Sequence, residues 1–248
     1  MAWVEDCEYY VLKATITSNP IINANECVVF VIYMEQNQMA FIGFSKDTTW
    51  TYIRTENESI ADFIHCRGDP EDKVYALGSH GNLLTFNINT SDFNSDVNSL
   101  ECGIPPNSFI RKYILWIHMG LMIDRACNWE DPEELKKCFA KEFKVYKFNF
   151  DKCLWIEKKE TLGDDVALFV GDNLSIRVVA SKFPGCKQNS MYYNHDFDEI
   201  DFHDYMLNDF GVYEMETKSI SKPCSSHVMT LLEMVNHRPI WFTPTFQL

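Results

Sequence analysis

The chain is poor in positive charge. It sets 22 Lys and Arg against 36 Asp and Glu, a net charge of −14 and a sequence pI near 4.9. Binding to nucleic acid draws on a basic face that displaces counterions, so this balance argues against that class. It argues equally against attraction to an anionic membrane surface. No run approaches the roughly 18 continuous apolar residues of a membrane-spanning helix. The opening MAWVEDCEYY has acids where a secretory signal needs a basic flank and an apolar centre. The expected location is therefore intracellular, in the cytoplasm, the nucleus or both. Nine cysteines are present (Cys7, Cys27, Cys66, Cys102, Cys127, Cys138, Cys153, Cys186 and Cys224), and no pair has the C-x-x-C spacing of a zinc or redox site. Scattered, odd in number and often inside apolar runs, they read as reduced, buried thiols. The sequons at Asn57, Asn89 and Asn173 carry no weight without a secretory signal.

What is present is aromatic and β-branched. Hydrophobic residues make up 46% of the chain and aromatics 14%, with 18 Phe and 11 Tyr, a bias toward sheet. Glu26–Met34 is nearly continuous apolar, as in a strand buried on both faces. Turns at Gln36-Asn37 and Ser45-Lys46-Asp47 separate it from Gln38–Phe44 and from Thr49–Arg54, where Trp50 and Tyr52 alternate with Thr51 and Ile53. A second group runs through Ile60–Cys66, Lys73–Leu77 and Leu83–Ile88, with turns at Arg67–Asp72 and Ser79–Asn82 and a weaker edge strand after Asn98. A third comprises Arg111–His118, Met119–Arg125, Phe143–Phe148 and Leu154–Lys158. Gly211–Met215 and Pro239–Thr243 are the last strands expected. One helix is expected at Asp131–Lys141, from an Asp cap, Pro132 at the first helical position, early acids and late lysines.

Strand groups recurring at roughly 40–50 residues have the length of a four-stranded propeller blade, though periodicity alone leaves a β-sandwich open. Leu162–Tyr193 is the densest stretch: strands at Val166–Val170, Ser175–Ala180 and Ser190–Tyr193, cut by Gly163-Asp164, Gly171-Asp172-Asn173 and Phe183-Pro184-Gly185. Its Leu162-Gly163-Asp164, Ala167-Leu168-Phe169, Gly171-Asp172-Asn173 with Ser175, Ala180-Ser181 with Phe183-Pro184-Gly185, and Asn189 before Met191-Tyr192-Tyr193 resemble the signature of the KIB β-propeller family of plant F-box proteins. So do Val74–Leu77 with Ser79–Leu83, Phe143–Phe148, Asp209–Tyr213 and Ile240–Pro244, which carries the resemblance from about Tyr10 to the end of the chain.

The resemblance implies an all-β fold, a propeller of antiparallel four-stranded blades spanning 1–248, with the helix near 131–141 as an insertion. At ~40–45 residues per blade the chain holds five to six blades at most. It shows no helical Leu-Pro-x-Asp/Glu-Leu F-box pattern, so the expectation is a propeller incomplete on its N-terminal side. Glu26–Met34 would then lie at an uncovered edge and template self-association. In the family the F-box docks on a ubiquitin-ligase scaffold and the propeller presents substrate. Here the resemblance implies an interaction module with an unidentified protein partner, and no contact with the scaffold's adaptor. Two alternatives are an enzyme or ligand-binding propeller using a central tunnel, and a truncated paralogue with no function of its own.

No catalytic, cofactor-binding or metal residue is assigned, and no cofactor is expected. His195–Asp209 (HDFDEIDFHDYMLND) gathers two histidines and six acids, the right groups for a divalent cation, but in neither an HExxH nor an EF-hand register. It reads as an exposed, metal-free acidic loop. Gly78-Ser79-His80-Gly81 places a hydroxyl beside an imidazole, but as a hairpin turn whose neighbouring side chains diverge. Arg67-Gly68-Asp69 is a turn that needs its glycine, and the glycines at Gly163 and Gly171 serve turns because no helix follows to hold a phosphate. Trp50, Trp116, Trp155 and Trp241 read as packing residues of strands.

Overall fold

The computed structural model describes residues 11–33, 38–53, 59–69, 71–87, 98–100, 111–115, 121–129, 138–158, 161–171, 175–194 and 209–222. They form seventeen strands in four sheets, divided between two compact units, residues 1–106 with 148–155 and residues 107–147 with 156–248.

The first unit holds two antiparallel meanders. β1 (Val11–Ile16), β2 (Val28–Tyr33), β3 (Gln38–Gly43) and β4 (Thr51–Ile53) are paired in chain order, and so are β5 (Ile60–Asp69), β6 (Glu71–Gly78), β7 (Leu83–Asn87) and β8 (Asn98–Leu100). Consecutive strands joined by short turns pair as hairpins because the chain has no length for a crossover. Along β2 and β3 the side chains alternate, and Phe30, Ile32, Met39 and Phe41 meet Ile60, Phe63, Val74, Ala76, Leu84 and Phe86 in one core. Lys13 of β1 donates to the Asp62 carboxylate of β5 and lies over the Phe63 ring, 5.7 Å from its centroid. Phe148 packs edge-on against Trp155, with centroids 4.9 Å apart.

One expectation fails in this unit and another is narrowed. β2 is not an edge strand: β1 pairs with one side of it and β3 with the other, so its run of apolar residues is covered by neighbours and core. The strand that supplies the cover, Val11–Ile16, escapes the sequence reading because its alternation is weak, with exposed and half-buried positions only. The turn expected at Arg67–Asp72 is tighter than that range: β5 continues to Asp69, β6 resumes at Glu71, and these two residues pair.

The second unit contains β9 (Arg111–Leu115), β10 (Leu121–Trp129) and most of β11 (Cys138–Asn149), in a sheet of order β12-β11-β10-β9 with β12 at Leu154–Lys158. The expected helix is overturned where it is described. Cys138, Phe139 and Ala140 are the first residues of β11 and pair with Trp129, Asn128 and Cys127; residues 131–137 lie outside the described part. The capping signal is local, and ladder bonds to β10 outweigh it.

The fourth sheet departs from a simple meander. β13 (Val166–Val170) pairs antiparallel with β14 (Ile176–Val179) but parallel with β15 (Ser190–Tyr193), and β16 (Gly211–Glu214) and β17 (Ser219–Ser221) follow antiparallel. The family-like residues build this crossover. Asp165, at φ 52, accepts the Ser181 N–H at 2.8 Å and the Ser181 hydroxyl, while its own carbonyl accepts the Ala180 N–H at 2.9 Å. Asn189, at φ 55, accepts the Leu162 N–H at 2.8 Å and donates its N–H to the Val166 carbonyl at 2.6 Å. Asn tolerates a left-handed backbone better than most residues. Asn189→Ala combines that strain with the loss of a bond and is expected to cost about 1–2 kcal/mol in chemical denaturation. A loss below a few tenths would show that the crossover does not depend on Asn189.

Candidate protein-interaction site

In a four-strand meander the first and third connections emerge at the same end. In the first sheet these are Thr17–Cys27, between β1 and β2, and Phe44–Trp50, between β3 and β4. The first loop is built on Asn19. Its side-chain oxygen accepts the Ile21 N–H at 2.9 Å, and its carbonyl accepts those of Ile22 and Asn23 at 3.1 and 2.9 Å. Pro20 presets φ at the start of the turn. A 3-10 turn at Ala24–Glu26 follows, and the loop's base is buried: the Thr17 N–H donates to the Val28 carbonyl, the Val28 N–H donates to Thr17 Oγ1, and the Cys27 thiol donates to the Ser18 carbonyl. The second loop is tied to the first. Ser45 Oγ reaches the Ala24 carbonyl at 3.1 Å and Asn25 Oδ1 at 2.8 Å, and the Phe44 N–H donates to Cys27 at 2.8 Å. Asp47 closes its own turn on the Gly43 N–H at 2.7 Å.

This hydrogen-bonded frame holds apolar side chains in water. Ile21 is 93% exposed and Ile22 75% exposed, and Phe44, Trp50 and Ile16 at the same end are also exposed. Burying such groups on a partner releases the hydration that their exposure maintains, and the frame has already met much of the ordering cost. The arrangement is suited to binding. The sequence reading missed Ile21 and Ile22; the signal available was Pro-Ile-Ile between two asparagines, apolar residues inside turn chemistry.

Residues singled out from the sequence are dispersed. Trp50 is exposed at this end of the first sheet, whereas Trp155 is buried and its Nε1 donates to the Gly81 carbonyl at 2.8 Å. Gly81, at φ +91, makes the hairpin turn that presents that carbonyl. Ser79 and His80 do not diverge as expected: Ser79 Oγ lies 3.3 Å from His80 Nδ1, in an exposed turn. Of the four thiols described, Cys27 and Cys66 are buried as expected, and Cys153 and Cys186 are half-exposed. Trp116, Trp241 and residues 195–208 lie outside the described part.

Asp209, the last acid of the expected solvated loop, is only 4% exposed. Its carboxylate pairs with Arg125, which is 1% exposed, and accepts the Ala140 N–H. Arg125 also donates to the Asn194 carbonyl at 3.3 Å and lies 5.4 Å from the Tyr193 ring centroid. One buried guanidinium therefore holds both residues that bound the segment 195–208. Burial pushes the Asp209 carboxyl above its ordinary range, against the opposing pull of Arg125 and Ala140.

Comparison with known proteins places these sheets. The KIB1-4 beta-propeller family matches residues 2–214. The chain belongs to that family. An F-box protein of Arabidopsis thaliana is 30% identical over 242 residues, covering 96% of this chain and 55% of that protein. A candidate F-box protein of the same plant is 24% identical over 237 residues, covering 88% of this chain and 55% of its own length. The chain thus spans about half the length of the curated relatives it matches. The β-sheets, antiparallel apart from the β13–β15 pair, are those expected of such a propeller. No helix among the described residues is long and apolar enough to cross a membrane.

Proposed function

We propose that the chain is a non-catalytic protein-recognition module, the role that the propeller plays in an F-box receptor of a ubiquitin ligase. The reading treats residues 1–248 as one intracellular propeller domain that presents a bound protein and makes no contact itself with the ligase adaptor. The observation that carries it is the pair Ile21 and Ile22, exposed on a loop whose backbone is fixed by Asn19. Large apolar residues held rigidly in solvent mark an interaction site, whereas catalysis calls for convergent acids, bases or nucleophiles.

A photo-crosslinking residue at position 22, in the full chain exposed to plant extract, is expected to yield a discrete protein adduct. The adduct should disappear when Ile21→Asp is added and should be absent with the crosslinker at Lys218, an exposed turn of the other unit. No adduct, or the same adduct from both positions, would sink the proposal.

A further inference from the structure

We propose that the end of the first sheet formed by Ile21, Ile22, Phe44 and Trp50 docks a short apolar peptide segment flanked by lysine or arginine, carried by a partner protein. The inference rests on the recognition reading and specifies the chemistry of the partner.

Size argues for a peptide. Four side chains of this kind offer on the order of 500 Å², below the ~800 Å² per partner of a stable protein interface. A short segment can cover such a patch, and its own ordering cost is offset by a loop that is already ordered. Charge then separates the possible occupants. The chain carries a net −14, so a second copy would bring its own acidic field and an anionic lipid surface would be repelled. The rim is made of neutral hydrogen-bonding residues, Asn19, Asn23, Asn25 and Ser45, with Glu26 and Asp47 outnumbering Lys46. Apolar anchors would contact the isoleucines, and basic flanks would meet Glu26 and Asp47 and be steered by the field of the −14 charge.

The test is selection of a random peptide display library on the full chain, with counter-selection on the Ile21→Asp/Ile22→Asp variant. Both side chains are exposed, so the variant should keep the wild-type thermal transition. Enriched peptides are expected to place large apolar residues within a few positions of Lys or Arg. Their affinity, followed by the anisotropy of a labelled peptide, should fall about tenfold or more in the variant and should weaken as salt is raised. Peptides that depend on the isoleucines but are acidic or neutral, with salt-independent affinity, would overturn this partner chemistry and leave the recognition reading standing. Failure to enrich any isoleucine-dependent peptide would overturn both. Dimerisation abolished in the variant would make the occupant a second copy, and isoleucine-dependent binding to anionic vesicles would make it a membrane; either result refutes the proposal.

Discussion

Asp209→Ala is expected to lower the unfolding free energy by about 3–5 kcal/mol, the range for removing one side of a buried ion pair. The substitution takes the carboxylate from Arg125 and the acceptor from the Ala140 N–H, and all three groups lie inside the second unit. The pair itself is not a large source of stability. Burial raises the Asp209 carboxyl above its ordinary value, so the fold disfavours the charge more than Arg125 and Ala140 favour it. Linkage fixes the sign: this group's contribution is greatest at low pH and is lost as pH rises through its folded value. The neutral isostere Asp209→Asn should therefore cost clearly less than alanine. The double replacement Arg125→Met with Asp209→Leu should recover most of the loss, since an apolar pair of similar volume avoids desolvating two charges. Chemical denaturation of the four proteins decides the matter. Equal stability of Asp209→Ala and wild type would show that the pair is unimportant to the fold, and a double variant no better than Asp209→Ala would contradict the desolvation argument.

The parts of this fold that were legible in the sequence are those governed by neighbours along the chain. Most strands of the first three sheets, though not Val11–Ile16 or the start of β11, follow from alternation and from contiguous β-branched and aromatic runs, and Gly81 follows from the need for positive φ in a hairpin. Partners distant in sequence were not legible. Arg125 ends the expected apolar run Met119–Arg125, but the carboxylate that pairs with it lies 84 residues away. The acidic run containing Asp209 looks like a solvated loop for the same reason. In the fourth sheet the three strands of the signature stretch were placed correctly, but their order was not visible. Nothing in Ser190–Tyr193 says that it pairs with β13 in parallel; that is decided by Asp165 and Asn189, whose bonds fix the path of the crossover. At the proposed site, the loop between β1 and β2 was passed over because turn residues outnumber apolar ones there, and exposure of Ile21 is a property of the folded loop.

Phe30→Ala should be as damaging as the loss of Asp209, at about 3–5 kcal/mol, and it tests the position of β2. Phe30 is fully buried, is paired in register with Phe41, and packs against Phe41 and Phe63 with ring centroids 5.6 and 6.3 Å away. Phe63 belongs to β5, so the ring of Phe30 joins two sheets within the first unit. Its removal leaves a cavity walled by aromatic rings and a core that backbone ladders on both sides of β2 prevent from collapsing. If Glu26–Met34 were instead an uncovered edge that templates association, truncating Phe30 would remove apolar surface from solvent. Stability would then change little and solubility would improve. The two arrangements therefore predict opposite outcomes for one substitution, read as the denaturation midpoint together with the sedimentation profile. A clear fall in midpoint with no gain in solubility places Phe30 in the core, with β2 as an interior strand. Ile22→Ala, a few residues upstream in the exposed loop, is the internal control: its side chain leaves no cavity, and its midpoint should stay within about 0.5 kcal/mol of wild type.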